Sequence, residues 1–209
     1  MKIAPVYLIL LILVFTISQG CKSKLSKGKL TIENLKSSYR NEVNASAQYD
    51  AFAQKAQAEN YPQIANLYKA ISKSESIHAR NHKEIMLKLG ISSENFAPDF
   101  ELRTTRENLQ ISIEGETHES TESYIDYIDI AEKEGLSDAK KSFIWAKDTE
   151  MKHTGYFIAT LAAIDKNRLW SLPDSLLVCP GCGQTFETRQ HDEKCSSCRN
   201  PRANFISFP

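Results

Sequence analysis

Apolar residues recur at helical spacing along four stretches of the chain. The pattern predicts four helices, with approximate bounds 31–60, 63–89, 105–134 and 137–165. Pro62, Gly90 and Gly135 separate the stretches, and proline and glycine commonly stand at helix ends. Thr31, or else Asn34, is the predicted N-cap of the first helix. Residues 90–104 exceed an ordinary helix–helix turn, so we expect a crossover between two helical pairs.

Ionisable residues interrupt the apolar stripe of every predicted helix. They are Glu42 on the first helix, Glu75 and His78 on the second, Glu116 and Glu119 on the third, and Glu150 and His153 on the fourth. Burying a carboxylate costs several kcal/mol unless it is paired or bound to a metal. Because the interruption recurs on all four helices, the pattern predicts that these side chains meet at one metal site.

Carboxylates and imidazoles together suit a pair of Fe²⁺ or Mn²⁺ ions. The spacing in Glu75-x-x-His78 and Glu150-x-x-His153 places both side chains on one helix face. Ferritin-like di-metal bundles carry one Glu on each of two helices and Glu-x-x-His on the other two. The chain meets this pattern and adds Glu119. The predicted fold is therefore all-α, a ferritin-like four-helix bundle.

Two Cys-x-x-Cys pairs follow the bundle. Cys179, Cys182, Cys195 and Cys198 have the spacing of a tetrathiolate site for iron or zinc. Two disulfides are the alternative, since the protein is expected to reside in an oxidising compartment. Residues 175–209 contain too few apolar residues for an independent core, and a segment this short needs a staple to fold. We therefore favour a metal-stapled β knuckle domain.

The N-terminus has the pattern of a bacterial signal segment. An apolar run over 3–17 follows Lys2 and ends before Gly20-Cys21. Residues 1–21 are interpreted as a lipoprotein-type signal peptide with lipidation at Cys21, and residues 22–30 as a tether; an uncleaved anchor is the alternative. Both interpretations predict an extracytoplasmic, membrane-attached protein. The 26 basic and 26 acidic residues balance, so nothing favours a nucleic-acid partner.

Over residues 31–209 the chain resembles the rubrerythrin family. The resemblance is carried by Asn41-Glu42, Glu75-x-x-His78, Gly115-Glu116-Thr-His-Glu119, Glu150-x-x-His153 and the two cysteine pairs. It implies a ferritin-like di-iron domain at 31–166, a linker at 167–174 and a rubredoxin-like (zinc-ribbon-like) FeS4 domain at 175–209.

The family's functional residues transfer onto matching positions. By resemblance, two irons are held by Glu42, Glu75, Glu116, Glu150 and His153. Glu119 and His78 are the pair between which one iron alternates, and Tyr49 and Tyr124 hydrogen-bond the ligand carboxylates. The four cysteines hold one further iron, or zinc. Of the remaining residues, His82 and His191 are expected on the surface and His118 off the stripe in a structural role, and Trp145 and Trp170 are expected in packing.

The resemblance also implies a peroxidase that reduces hydrogen peroxide in oxidative-stress defence, with electrons passing from an unidentified donor through the FeS4 centre. A homodimer is implied as well, with the knuckle of one subunit beside the di-iron site of its partner. A ferroxidase that uses oxygen, or a metal-bound structural or sensor module with zinc in the knuckle, are the alternatives. Family members are generally cytoplasmic, so a membrane-attached member would need a periplasmic or membrane-linked electron donor.

Overall fold

The computed structural model describes residues 28–169, 173, 175–188 and 192–209. The signal segment with Cys21, together with Trp170 and His191, lies outside the described residues. The helices are α1 (Lys29–Ala58), α2 (Pro62–Lys88), α3 (Thr105–His118), α4 (Tyr124–Glu134) and α5 (Ser137–Asp165), and a π-helical segment (Glu119–Ser123) joins α3 to α4. Helix ends agree with the sequence prediction to within two residues. The predicted third helix is thus one continuous helix with a π-helical middle.

The start of α1 differs from the prediction. Gly28 precedes the first helical residue with φ 92°, and neither Thr31 nor Asn34 is the N-cap. Thr31 lies inside the first turn, where its backbone N–H and its hydroxyl donate to Glu134 at 2.8 and 2.6 Å. A carboxylate from the end of α4 therefore accepts the bonds that a local cap would otherwise accept. This is a tertiary contact between residues that are far apart in sequence.

The bundle consists of two helical hairpins, α1 with α2 and α3–α4 with α5. Residues 89–104 contain no helix or strand and connect the hairpins, as the predicted crossover requires. Apolar clusters fill the two ends of the bundle, one around Leu35 and Phe143 and the other around Phe52 and Phe157. The ionisable residues of the four stripes are buried, except for Glu119, which is half-buried.

Three short antiparallel strands form the knuckle domain: β1 (Leu176–Val178), β2 (Thr185–Glu187) and β3 (Ile206–Phe208). The sheet order is β2-β1-β3. Leu176 and Val178 of β1 belong to the same apolar cluster as Phe52 and Phe157 of the bundle, so the knuckle shares the bundle's core. The predicted fold, a ferritin-like bundle with a small β knuckle, is confirmed. Among the described residues, no helix is long and apolar enough to cross a membrane.

Candidate metal centres

The stripes of four helices converge on two overlapping groups of possible ligands. One group is Glu42, Glu75, His78 and Glu150, and the other is Glu75, Glu116, Glu150 and His153. Within each group the ligand atoms lie within 4.8 Å of one another, and every residue is buried. Glu75 and Glu150 belong to both groups. The arrangement would suit two metal ions, with Glu75 and Glu150 available to both and one imidazole available to each.

Within these groups His78 Nδ1 and Glu75 Oε2 form a hydrogen bond at 2.9 Å, but most of the other buried oxygen and nitrogen atoms have no partner. His153 Nδ1 lies 3.0 Å from Glu75 and 2.9 Å from Glu150, yet His153 has no hydrogen bond on either ring nitrogen. Neither carboxylate oxygen of Glu150 has a hydrogen-bond partner, nor does one oxygen on each of the other three carboxylates. Buried polar atoms are rarely left unpaired. Four carboxylates and two divalent cations balance in charge, so the residues fit a di-metal centre.

Two tyrosines fix the outer oxygens of the terminal carboxylates. Tyr49 donates its hydroxyl proton to Glu116 Oε1 at 2.7 Å, and Tyr124 donates to Glu42 Oε1 in a short hydrogen bond. In each carboxylate the second oxygen is without a partner. Each phenol thus orients one carboxylate and leaves its other oxygen free for a metal, which is the usual role of residues behind a metal ligand.

Burial and neighbouring charges raise the pKa of Glu75, Glu150 and both imidazoles of this cluster, whereas His78 and His82 lower the pKa of Glu42 against the effect of burial. Burial and the nearby charge of Glu75 raise the pKa of Glu150 to about 8. Burial alone would lower the pKa of His153, but the charges of Glu75 and Glu116 raise it well above its usual value. Without a cation the site must therefore take up protons. A pair of divalent cations would replace those protons.

The four cysteine sulfurs lie within 4.8 Å of one another in the knuckle. Two sulfur pairs join the two loops, Cys179 with Cys198 at 3.4 Å and Cys182 with Cys195 at 3.5 Å. All four thiols are free, so the disulfide alternative is not seen. Four sulfurs bound at about 2.3 Å in a tetrahedron would lie about 3.8 Å apart. The sulfurs are therefore spaced for one metal ion.

Comparison with known proteins agrees with both sites. The rubrerythrin family pattern matches residues 33–161, more than half of the chain. The chain belongs to the rubrerythrin family. Rubrerythrin of Clostridium perfringens is 30% identical over 191 residues, which cover 88% of this chain and 97% of that protein. Nigerythrin of Nitratidesulfovibrio vulgaris is 32% identical over 194 residues, covering 89% and 90%. A solved structure of fully reduced, all-ferrous nigerythrin matches with a TM-score of 0.76 at 30% identity, covering 85% and 86% of the two chains.

Membership of the rubrerythrin family makes the protein a di-iron oxidoreductase of oxidative-stress defence, with a non-haem di-iron centre and a tetrathiolate site for iron or zinc.

Of the two residues predicted to alternate at one iron, His78 lies inside a ligand group and Glu119 lies outside both. The Glu119 carboxylate is 3.5 Å from the Asn41 amide. Burial and the charges of Glu42 and Glu150 raise the pKa of Glu119 well above its usual value.

Glu119 is the first residue of the π-helical segment, and it borders a cavity. The N–H of Tyr124 bonds the carbonyl of Glu119, which is the five-residue step of a π-helix. A solvent-connected cavity of about 390 Å³ is lined by Arg40, Asn41, Tyr49, Phe96, His118 and Glu119 among others. Phe96 belongs to the crossover, where Arg40 packs over its ring. The crossover thus forms one wall of an approach to Glu119.

The knuckle that lies beside the di-iron ligands belongs to the same chain. Ser74 donates its hydroxyl proton to the Gly183 carbonyl at 2.6 Å, and Asn81 donates to the Gly181 carbonyl at 3.0 Å. A Cβ at Gly183 would be 2.4 Å from His78 Nε2. The resemblance implied that a partner's knuckle occupies this place. Here the chain's own knuckle does, so the observed contact needs no second subunit, and the homodimer stays a prediction.

The prediction for His82 is wrong. His82 is completely buried, whereas a surface position was expected. The signal was present in the sequence, because His82 continues the stripe from Glu75 and His78 towards Ile85 at helical spacing. His118, expected off the stripe in a structural role, has an exposed side chain that contacts Glu122. Trp145 packs against the apolar cluster of the knuckle with Lys141 over its ring, which agrees with a packing role.

Proposed function

We propose that this protein is a peroxidase that reduces hydrogen peroxide to water, with Glu42, Glu75, His78, Glu116, Glu150 and His153 as di-iron ligands. The observation that supports this proposal most directly is the position of Glu119. It lies outside both ligand groups, close enough for their charges to perturb its pKa, and at the wall of a cavity open to solvent. A small polar substrate that enters the cavity would reach the metal site at this side chain.

Cleavage of the O–O bond of hydrogen peroxide to two waters takes two electrons and two protons. Two Fe²⁺ ions, when bound, supply one electron each, so that no hydroxyl radical is released. The chain's own residues hold and orient the reactants. Tyr49 and Tyr124 keep one oxygen of each terminal carboxylate directed inward. Glu119, at the cavity wall, is in position to exchange a proton with peroxide and to serve as the alternative ligand to His78.

The electron route follows the contact between knuckle and bundle. Gly183 follows Cys182 in the chain and lies close to His78, since a Cβ at Gly183 would be 2.4 Å from His78 Nε2. A short path therefore joins a cysteine of the tetrathiolate site to an imidazole of the di-iron ligand set. We place electron transfer from the knuckle at this contact. Cys198 is the most exposed of the four cysteines, which makes its side of the knuckle the approach for a donor.

The proposal is tested by the single-turnover oxidation of fully reduced protein. After iron loading and anaerobic reduction, the protein should reoxidise much faster with hydrogen peroxide than with oxygen in stopped-flow absorption. Equal rates, or faster oxidation by oxygen, would make the protein a ferroxidase instead. Metal analysis and colour complete the test, because a ferric tetrathiolate is red whereas a zinc knuckle is colourless.

Three variants separate the role of Glu119 from that of the fixed ligands. Glu119→Ala should slow peroxide turnover but retain bundle iron, whereas Glu150→Ala should lose bundle iron. Glu122→Ala is the matched control, because Glu122 lies on the same π-helical segment with a side chain 70% exposed. Loss of iron in Glu119→Ala, or full peroxide turnover, would argue against the role assigned to Glu119.

We further propose that the protein is a membrane-attached lipoprotein outside the cytoplasm, reduced by a periplasmic or membrane-linked carrier. The support is the sequence pattern before Cys21. Mass spectrometry of the mature N-terminus should find a lipid on Cys21 and no residues 1–20. Recovery of the unmodified full-length chain in the cytosolic fraction would overturn this proposal without affecting the peroxidase assignment.

A further inference from the structure

A second histidine lies behind the di-iron ligands, and the proposed reaction does not use it. His82 is fully buried on α2, one turn beyond His78, yet it belongs to neither ligand group. Its ring lies against Phe143 of α5 and Tyr124 of α4, with ring centroids 5.3 and 6.1 Å apart. A buried imidazole surrounded by aromatic rings needs hydrogen-bond partners of its own.

Both ring nitrogens of His82 have such partners, on two other helices. Nδ1 lies 3.0 Å from the Ser142 hydroxyl and Nε2 lies 3.3 Å from the Tyr124 hydroxyl. Nε2 is also 3.9 Å from Glu42 Oε1, which is too long for a direct hydrogen bond. His82 therefore acts on Glu42 through Tyr124.

The donors in this network can be assigned. Tyr124 has one hydroxyl proton, which it donates to Glu42, so its oxygen can only accept from His82 Nε2–H. A neutral imidazole carries a single N–H, and this geometry places that proton on Nε2. With its proton on Nε2, His82 accepts at Nδ1 from the Ser142 hydroxyl. The bonds run in one direction, from Ser142 through His82 and Tyr124 to Glu42.

The other tyrosine has no such support. Tyr49 donates to Glu116, and within the part of the chain that the structure describes no donor reaches the Tyr49 oxygen. Hydrogen bonds in series polarise one another. A donor on the Tyr124 oxygen therefore makes Tyr124 a stronger donor to Glu42 than Tyr49 is to Glu116. Charge is withdrawn from Glu42, which lowers its basicity as a ligand.

We propose that His82, held by Ser142, is a positioning residue that orients Tyr124 on Glu42 and distinguishes the metal position on the Glu42 side from the position on the Glu116 side. The proposal rests on the ligand role of Glu42 given above. A less basic Glu42 stabilises the ferric state less, so the network raises the reduction potential of the di-iron centre.

The test replaces His82 and Ser142 together, so that neither is left buried without the other. His82→Leu combined with Ser142→Val replaces both polar groups by apolar ones, a change that can be nearly neutral for stability. The double variant should show a lower midpoint potential of the di-iron centre and an altered ligand-field spectrum when metal-free protein is titrated with Co²⁺. Its thermal midpoint should change by only a few degrees. These readouts need no peroxide, so they are independent of the substrate assignment.

Non-additivity separates positioning from a general structural effect. Tyr124→Phe should shift the potential and the Co²⁺ spectrum in the same direction. In the Tyr124→Phe background, the change at His82 and Ser142 should add no further shift, because its effect passes through the phenol. His82→Gln keeps an N–H donor and should restore part of the parent values. An unchanged potential in the double variant, or fully additive shifts, would overturn the proposal.

Discussion

Replacement of Gly183 by alanine tests the contact between the knuckle and the di-iron ligands. The new Cβ would be 2.4 Å from His78 Nε2 and 2.6 Å from His78 Cδ2. To reach an ordinary van der Waals contact of about 3.4 Å, the knuckle or the imidazole must move by about 1 Å. Gly183 also has φ +87°, where a side chain costs about 1–2 kcal/mol. We therefore expect both a loss of stability and a widened contact.

Gly90→Ala is the matched control. Gly90 has φ +78° and nothing within 4 Å of its would-be Cβ, so it has the same backbone strain without the steric contact. Gly90→Ala should lose about 1–2 kcal/mol in urea unfolding, and Gly183→Ala should lose more because of the added contact with His78. Only Gly183→Ala should slow electron transfer from the reduced knuckle iron to the oxidised bundle, by at least several-fold, as followed by the return of the red ferric tetrathiolate absorption in stopped flow.

Equal transfer rates in the two variants would refute the route through Gly183 and His78. That result would require another path, or the knuckle of a second subunit. Mixing chains that lack knuckle iron with chains that lack bundle iron separates these outcomes, since transfer between such chains requires two subunits. Transfer confined to intact single chains is the expected result.

Three further predictions concern the buried charge of Glu150, the start of α1 and the knuckle cysteines. Metal-free protein should lose thermal stability as the pH rises from 4.5 towards about 8. Because the folded pKa of Glu150 is raised, the folded state in this range holds a proton that the unfolded state has released. If the thermal midpoint changed with pH equally with and without metal, this prediction would be contradicted. Glu134→Ala should cost about 1–2 kcal/mol in denaturant unfolding by removing the acceptor at the start of α1, and an unchanged midpoint would count against that cap. Cys198→Ser should lose the knuckle metal but keep bundle iron in metal analysis, and simultaneous loss of both would show that the sites are coupled.

The helices and the ligand groups could be predicted because both depend on local sequence. Pro62, Gly90 and Gly135 end helices through their own backbone restrictions, wherever the chain then travels. The ionisable residues in the stripes are detectable since each is costly to bury without a cation. A helical period then places Glu75 beside His78, and Glu150 beside His153, without knowledge of the other helices.

The π-helical segment and the start of α1 could not be predicted in this way. The π-helical turn at Glu119–Ser123 contains one additional residue, which changes the direction of the following side chains. The amino-acid composition of this segment does not differ from that of an ordinary helix. The turn aligns Tyr124 with Glu42 across the bundle. Likewise, Glu134 replaces a local cap of α1 from more than 100 residues away. Both features depend on tertiary contacts, which residue spacing does not record.

His82 shows what the helical pattern of buried positions does not determine. A polar residue on a buried stripe predicts a need for partners, but it does not say whether the partner is a metal or a protein side chain. His78 and His82 occupy the same face of α2; His78 contacts Glu75 and Glu150, whereas Ser142 and Tyr124 satisfy His82. Those partners lie 60 and 42 residues further along the chain. A ligand and a residue that positions a ligand therefore have the same local signature, and only the partners supplied by the other helices distinguish them.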